Sequence, residues 1–313
     1  MATARVKLTR GADGVAQVML ARGAKMNALD MPMFRAIAGA ARELIGDRSV
    51  RAVVIHGEGR AFCAGIDAKS VMNPMVARAN TEELLARPEG EISNLAQDVG
   101  YLWRRIAAPV IAATHGVVLG GGMQLALGAD MRVSAPSCKF SVMEAKWGLI
   151  PDMSATVTLP ERVPKDVALE LTMTGRVFGA AEALQLGLIT RIADDPLAEA
   201  LRLAREIVAR SPDASAAAKR LLHATYASQT DDARNLRLES DVQRRLLGGW
   251  NQMASAAGAI GLPSMLTPRF ADRAAVWDDE ADAQAEAALV AMLESTDADQ
   301  PRPQPTAAPS SKL

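Results

Sequence analysis

The sequence predicts an α/β domain followed by a helical region. Over the first part of the 313-residue chain, short β-rich runs alternate with helical patterns, which is typical of α/β proteins. From about Asp195 onward the patterns are helical only. We therefore predict an α/β body over residues 1–194, a helical region over 195–277 and a mostly disordered tail over 278–313, where acidic and Pro-rich sequence has too little apolar content to pack. The β-rich runs are 15–20, 52–55, 110–113 and 131–134.

Capping residues indicate where the helices begin. The first helix is predicted to begin near Asp30 and Pro32, and an Asp or Ser followed by Pro precedes two later amphipathic patterns, at Asp195 and at Ser211. One face of the first helix should enter the core, and it carries Met33, Phe34, Ile37, Ala41 and Leu44.

Composition and charge exclude several classes of function. The 35 Lys and Arg residues nearly balance the 36 Asp and Glu residues, and no basic block with interleaved aromatics indicates a nucleic-acid partner. No apolar run reaches the roughly 20 residues that span a bilayer, so no membrane partner is predicted. Two cysteines cannot form a disulfide framework, and three scattered histidines lack metal-ligand spacing, so no metal is predicted. The two cysteines are Cys63 and Cys138, and the three histidines are His56, His115 and His223.

Two predicted strands each run into a loop with glycines and then into a helical pattern. The first loop covers residues 56–67, and the second covers 115–126 with three consecutive glycines at 120–122. Glycines let the backbone approach a ligand closely, and free N–H groups at a helix start attract negative charge. A tight turn or a close packing contact is the alternative role for the three glycines. Neither loop matches GxxxxGK[ST] or a GxGxxG after the first strand, so nucleotide binding is not predicted.

The motifs in and after these loops resemble those of the crotonase (enoyl-CoA hydratase/isomerase) superfamily. RAFCAGID at 60–67 and PVIAATHGVVLGGG at 109–122 resemble its two hallmark segments, and further similar segments lie at 129–133, 140–151, 171–175 and 182–189. The pattern is most similar to peroxisomal dienoyl-CoA isomerases and to enoyl-CoA hydratases. The resemblance implies a spiral of ββα repeats and a C-terminal helical region that mediates trimers, commonly paired into hexamers.

The resemblance also implies an acyl-CoA thioester as the substrate, with no cofactor apart from the coenzyme A that the substrate carries. Backbone N–H groups of Ile66 and Gly121 would form an oxyanion hole for the thioester oxygen, and losing one such donor typically costs about 10²- to 10³-fold in rate. Residues implied in binding the substrate or coenzyme A are Ala28, Ala64, Lys69, Gly120 and Gln124. A surface lysine without a ligand is the alternative for Lys69.

The acids near the second loop favour one reaction over another. Hydratases of the superfamily hold a water between two glutamates, and the matching positions here are Gln124 and Glu144. An amide cannot act as a general base near neutral pH. The remaining candidates are Glu144 and Asp152, because dienoyl-CoA isomerases have a catalytic Asp at the latter position. One carboxylate can move a proton in a 1,3 shift, and two could serve a 1,5 shift, so we favour a double-bond isomerase.

The sequence leaves several alternatives open. The chain could be an enoyl-CoA hydratase that lacks one glutamate, or a noncatalytic acyl-CoA-binding protein, although the presence of Glu144 counts against the latter. Halobenzoyl-CoA dehalogenases place a nucleophilic Asp where Asp152 stands, but they have Trp at the Glu144 position. Glu144 could instead pair with Lys146 or Arg132, and Asp152 could cap a helix. Burial of Glu144 against neighbouring apolar side chains should raise its pKa toward the working pH.

The C-terminal tripeptide predicts a compartment. Ser311, Lys312 and Leu313 match the signal that the peroxisomal import receptor reads. Peroxisomes process CoA thioesters by β-oxidation, so the tripeptide and the glycine loops indicate the same compartment. We therefore predict an acyl-CoA enzyme of fatty acid β-oxidation in the peroxisomal matrix. The cytoplasm is the alternative if the source is a bacterium, where this signal has no meaning.

Overall fold

The computed structural model describes residues 4–71, 75–226, 249–251, 254 and 269–272 of the chain. The strands in these ranges are β1 Val6–Arg10, β2 Val15–Leu20, β3 Ala52–Gly57, β4 Val110–Thr114, β5 Val117–Leu119, β6 Met131–Ser134, β7 Lys139–Ser141, β8 Phe178–Gly179 and β9 Arg191–Ile192. The helices are α1 Met31–Ile45, α2 Ala68–Val71, α3 Ala77–Leu85, α4 Leu95–Arg105, α5 Gly121–Leu127, α6 Ala155–Thr158, α7 Lys165–Thr174, α8 Ala180–Gln185, α9 Pro196–Val208 and α10 Pro212–Tyr226. The predicted tail over 278–313, including the tripeptide 311–313, lies outside the described residues.

The strands form two sheets, and from β4 to β7 the chain alternates between them. The larger sheet has the order β1-β2-β3-β4-β6-β9, with β1 antiparallel to β2 and the other neighbours parallel. The smaller sheet has the order β5-β7-β8. Strand β4 of the larger sheet is followed by β5 of the smaller sheet and by α5, and β6 and β7 repeat this order before the next helices. These two turns each add one strand to each sheet, as in the ββα spiral that the resemblance implies.

The predicted helix starts are confirmed by their capping hydrogen bonds. The Asp30 side chain accepts from the Met33 amide at 2.9 Å at the start of α1, and Asp195 accepts from the Ala198 amide at 2.9 Å at the start of α9. All five predicted core positions on α1 are buried. At the start of α10 the Ser211 hydroxyl accepts from the Ala214 amide at 3.3 Å.

The larger sheet has a core on each face because successive strand residues point to opposite sides. Val54 and Ile111 belong to the core that Ala200 and Ala204 of α9 complete. Their strand neighbour Val53 belongs to the larger core, which also contains residues of α1, α4 and α5. The first helix of the predicted helical region therefore covers one face of the α/β body. None of the described helices is long and apolar enough to cross a membrane.

Candidate active site

The first glycine loop follows β3 and is fixed against the start of α1. Leu29 and Ile66 form a parallel bridge, in which the Leu29 amide donates to the Gly65 carbonyl at 2.8 Å and the Asp67 amide donates to the Leu29 carbonyl at 3.0 Å. Gly65 has a φ of +87°, and a Cβ there would lie 2.7 Å from the Leu119 carbonyl oxygen. Glycine at this position is therefore what lets the first loop contact the second.

The second glycine loop connects β5 to α5. A Cβ on Gly122 would lie 2.5 Å from the Cys63 carbonyl oxygen, so the first turn of α5 approaches the backbone of the first loop too closely for a side chain. Of the two roles weighed for the three glycines, close packing is present here, and it brings the two loops side by side.

The two predicted oxyanion donors lie in these loops with their amides available. Within the part of the chain that the structure describes, neither the Ile66 amide nor the Gly121 amide donates a backbone hydrogen bond. Gly121 begins α5, where the first amides of a helix have no partner within the helix. A Cβ on Gly65, next to Ile66, would lie 3.7 Å from the Gly121 nitrogen. Two free N–H groups at this junction are suited to a developing oxyanion.

A cavity of about 90 Å³ lies at the junction of the loops. Its walls are mainly apolar side chains and glycine backbone, and Glu144 is the carboxylate among the described lining residues. It brings together five of the residues that the sequence singled out, namely Ala64, Ile66, Gly120, Gly121 and Glu144. The other lining residues are Gly65, Ala68, Met143, Trp147 and Leu149.

Glu144 is held by Gln124 underneath the cavity. Gln124 Nε2 donates to Glu144 Oε1 at 2.7 Å, and Gln124 Oε1 accepts from the Met153 amide at 2.7 Å. The residues Gln124 and Glu144 are 1% and 8% exposed. Glu144 Oε2 is buried and has no hydrogen-bond partner among the described residues. The predicted alternative of an ion pair between Glu144 and Arg132 is wrong, because Arg132 donates to the carbonyls of Leu188 and Ala129 instead.

The surroundings of Glu144 favour a proton-exchanging group. Burial raises the pKa of Glu144 above its ordinary value, nearby backbone amides and the Gln124 amide oppose this, and the negative charge of Asp152 raises the pKa further. A carboxyl group whose pKa is shifted toward neutrality can act both as acid and as base. Met143, Trp147 and Leu149 line the same cavity.

Asp152 lies within electrostatic reach of Glu144 but outside the cavity lining. Asp152 is exposed when its whole surface is considered. Partial burial of its carboxyl group nevertheless raises the pKa of Asp152. The alternative role as a helix cap is not present: Ser154 is the N-cap residue of α6, and no side chain caps that helix. Asp152 is therefore a second carboxylate beside the first, at the rim of the site.

The remaining residues predicted to bind the substrate or coenzyme A do not line the cavity. The Ala64 amide donates to the Met26 carbonyl at 3.0 Å, which places residues 26–28 beside the first loop. Lys69 is exposed on α2. Ala28, Lys69 and Gln124 are thus not among the residues that line the cavity.

Arg22 connects two segments of the site, and no motif in the sequence indicates this role. Its Nη1 donates to the Ala28 carbonyl at 2.9 Å and its Nη2 donates to Asp67 Oδ2 at 2.8 Å, so one guanidinium ties residue 28 to the first loop. An arginine after an apolar strand gives no local signal for such partners.

This fold and this site together define an enzyme of the crotonase superfamily. The chain belongs to the enoyl-CoA hydratase/isomerase family, whose sequence model matches residues 10–248. It is similar to the enoyl-CoA hydratase EchA19 of Mycobacterium tuberculosis, with 33% identity over 218 residues that cover 69% of this chain and 79% of that protein. It is also 34% identical to the carnitinyl-CoA dehydratase of Proteus mirabilis, again over 69% of this chain and 79% of that protein.

Solved structures agree with these sequence relationships. An enoyl-CoA hydratase from Polaromonas sp. JS666 superimposes with a TM-score of 0.69 at 30% identity, covering 85% of this chain and 99% of that one. An enoyl-CoA hydratase from Mycobacterium tuberculosis H37Rv superimposes with a TM-score of 0.71 at 29% identity, covering 86% of this chain and 99% of that one. These four relatives are bacterial.

Proposed function

We propose that this enzyme is an enoyl-CoA or dienoyl-CoA double-bond isomerase of fatty acid β-oxidation. The observation that carries the proposal is the state of Gln124: it has no carboxylate, and both ends of its amide are already engaged, by Glu144 and by the Met153 amide. A water held between two carboxylates at positions 124 and 144 therefore has no counterpart here. What the cavity offers is an oxyanion hole and a single buried carboxylate.

The proposed reaction moves one proton along an enolised acyl chain. The thioester oxygen accepts hydrogen bonds from the amides of Ile66 and Gly121, which stabilises the negative charge as Glu144 removes a proton from the carbon next to the double bond. Electrons of the broken C–H bond form the new double bond of a dienolate. Glu144 then returns the proton to the far carbon of the former double bond, and the thioester carbonyl re-forms. No cofactor is required, because coenzyme A is part of the substrate.

Hydration of 2-enoyl-CoA is the second candidate. It is supported by the names of the relatives, three of which are enoyl-CoA hydratases and one a dehydratase. It is also supported by Asp152, whose charge reaches Glu144 and which would have to replace the missing glutamate. The exposed position of Asp152 at the rim is less suited to hold a water against the substrate than a buried pair.

Turnover by absorbance separates these candidates. We expect wild-type enzyme to convert 3-enoyl-CoA or 3,5-dienoyl-CoA, and Glu144→Gln to lose at least about 10²-fold in kcat, as removal of a general base does. If Asp152→Asn loses the isomerisation of 3,5-dienoyl-CoA but keeps that of 3-enoyl-CoA, the 1,5 shift requires the carboxylates of both Glu144 and Asp152. Fast hydration of 2-enoyl-CoA with no isomerisation would replace the isomerase proposal with the hydratase. Binding of acyl-CoA without any turnover would leave a binding protein.

The compartment and the assembly are further proposals. The bacterial relatives favour the cytoplasm over peroxisomal import, and binding of the 304–313 peptide by a purified import receptor, followed by imaging of a fusion with and without Leu313, tests this.

For the assembly we propose a homotrimer or a dimer of trimers. It is supported by apolar side chains left exposed on and after α7, namely Leu169, Met173 and Val177. Light scattering of the purified protein tests it.

A further inference from the structure

We propose that Gln124 is a positioning residue: it holds Glu144 through Oε1 and fixes the carboxyl group relative to the segment that carries Asp152. The inference rests on the proposed role of Glu144 as the base and extends it to a residue that makes no contact with the cavity. It gives the amide at position 124 a function in place of the missing carboxylate.

The hydrogen bonds allow only one orientation of the Gln124 amide. Its oxygen accepts from the Met153 amide and its nitrogen donates to Glu144 Oε1, both at 2.7 Å. Rotation of the amide by half a turn would place N–H against N–H at Met153 and oxygen against a carboxylate oxygen at Glu144. Because Gln124 is almost completely buried, no water can relieve either mismatch.

This fixed donor makes the two oxygens of Glu144 unequal. Oε1 is already hydrogen-bonded, whereas Oε2 is buried without a partner among the described residues. A buried carboxylate oxygen without a donor is unfavourable on its own and is expected where a ligand supplies the missing partner. The hydrogen bond from Gln124 therefore orients the carboxyl group of Glu144 through Oε1.

Met153 extends the effect of Gln124 to the oxyanion hole. A Cβ on Gly121 would lie 2.7 Å from the Met153 sulfur, so the side chain of Met153 packs directly against the second oxyanion donor while its amide is bound to Gln124. Asp152 precedes Met153 in the chain. One glutamine side chain thus sets the relative positions of the base, the rim carboxylate and a donor of the oxyanion hole.

Two variants at position 124 test the proposal in the full-length enzyme. Gln124→Met keeps the length of the side chain and removes both hydrogen bonds, and Gln124→Glu keeps the acceptor for Met153 but places a carboxyl group against Glu144. Gln185→Met, on the exposed end of α8, is the matched control. The measurements are kcat, KM and the lower pH limit of kcat, together with thermal unfolding to establish that each variant is folded.

We expect kcat of Gln124→Met to fall about 10²-fold, as displacement of a catalytic group by about 1 Å does, with KM changed less than about threefold. Its lower pH limit should move to higher pH, because the donor that stabilises the ionised Glu144 is gone. In Gln124→Glu the limit should move further, since two adjacent carboxyls share one proton. Folded variants with the wild-type kcat and pH limit would overturn the proposal, and if Gln124→Met does not fold, Gln124→Glu decides.

A titration without substrate separates this proposal from the proposed function. In protein labelled with ¹³C at the glutamate carboxyl carbons, the Glu144 resonance is identified by its loss in Glu144→Gln. A Glu144 pKa that is higher in Gln124→Met than in wild type supports the positioning role even if no enoyl-CoA is converted. An unchanged pKa in the folded variant overturns it whatever the enzyme converts.

Discussion

Arg22 donates from Nη2 to Asp67 Oδ2 at 2.8 Å, immediately beside the proposed oxyanion donor Ile66. The same guanidinium holds the Ala28 carbonyl at 2.9 Å and lies 3.3 Å from Asp30 Oδ2 at the start of α1. We predict that Arg22→Met lowers kcat by about 10- to 10²-fold, because the first loop loses a side-chain contact that supports the backbone bridge on each side of its free amide. Steady-state kinetics with a saturating acyl-CoA measure this.

Arg10→Met is the matched control for Arg22→Met. Arg10 also pairs with two carboxylates, Glu43 and Asp47, but on the surface and away from both glycine loops. Its variant should keep the wild-type kcat. A kcat of Arg22→Met within twofold of wild type, in folded protein, would show that the first loop does not depend on this arginine.

The backbone amide of Ile66 gives a second prediction. Ile66→Pro removes the N–H donor and should lower kcat/KM about 10²- to 10³-fold. Ile66→Val keeps the donor and a similar side chain, and it should stay within about threefold of wild type. Both variants are compared by thermal unfolding, since proline also restricts Gly65 before it. Equal losses in the two variants would assign the effect to the side chain and remove the amide from the mechanism.

Asp152 supplies a prediction about pH. Its negative charge raises the pKa of Glu144, after burial as the main cause. Asp152→Asn should therefore lower the pKa of Glu144 and move the lower pH limit of kcat to lower pH, the direction opposite to that expected for Gln124→Met. A pH profile of the 1,3 isomerisation measures it. A limit that stays in place would mean that solvent screens the exposed Asp152 completely.

The sequence predicted those parts of the fold that leave local signals. Asp30 and Asp195 act within three residues of their own positions, and the runs at β2, β3, β4 and β6 are long enough to show β-rich composition. Strands such as Phe178–Gly179 are too short to show any period. The strand Phe178–Gly179 exists because pairing with β7 in the smaller sheet stabilises it, and that pairing depends on tertiary contacts.

The candidate site was predictable in its members more than in their arrangement. The motifs placed Ile66, Gly121 and Glu144 at one cavity, and the structure brings them together there. The orientation of Gln124 depends on the Met153 amide, 29 residues away, and no pattern in the sequence contains that contact. Arg22 was missed for the same reason, because its role consists entirely of contacts made across the fold.

The ion pair between Asp130 and Lys219 connects α10 to the body, and it gives a prediction about stability. Lys219 Nζ lies 2.8 Å from Asp130 Oδ2 and donates to the carbonyls of Trp103 and Ala108, while Asp130 accepts from the Val110 amide at 2.7 Å. Removing one partner of a buried pair costs about 3–5 kcal/mol. Lys219→Met should therefore lower the melting temperature by at least about 6 °C, at about 2–4 °C for each kcal/mol.

Acid should weaken the same connection. Burial alone would raise the pKa of Asp130, but the charge of Lys219 and the hydrogen bond from His223 lower it to about 2. A carboxyl group with a lowered pKa stabilises the fold fully above its unfolded pKa of about 4, and this contribution is lost as the pH falls toward 2. The wild-type melting temperature should therefore fall between pH 4 and 2 more steeply than that of Asp130→Asn. Lys165→Met, at the exposed start of α7, is the control for Lys219→Met. If the two variants had the same melting temperature, the pair would have no structural role.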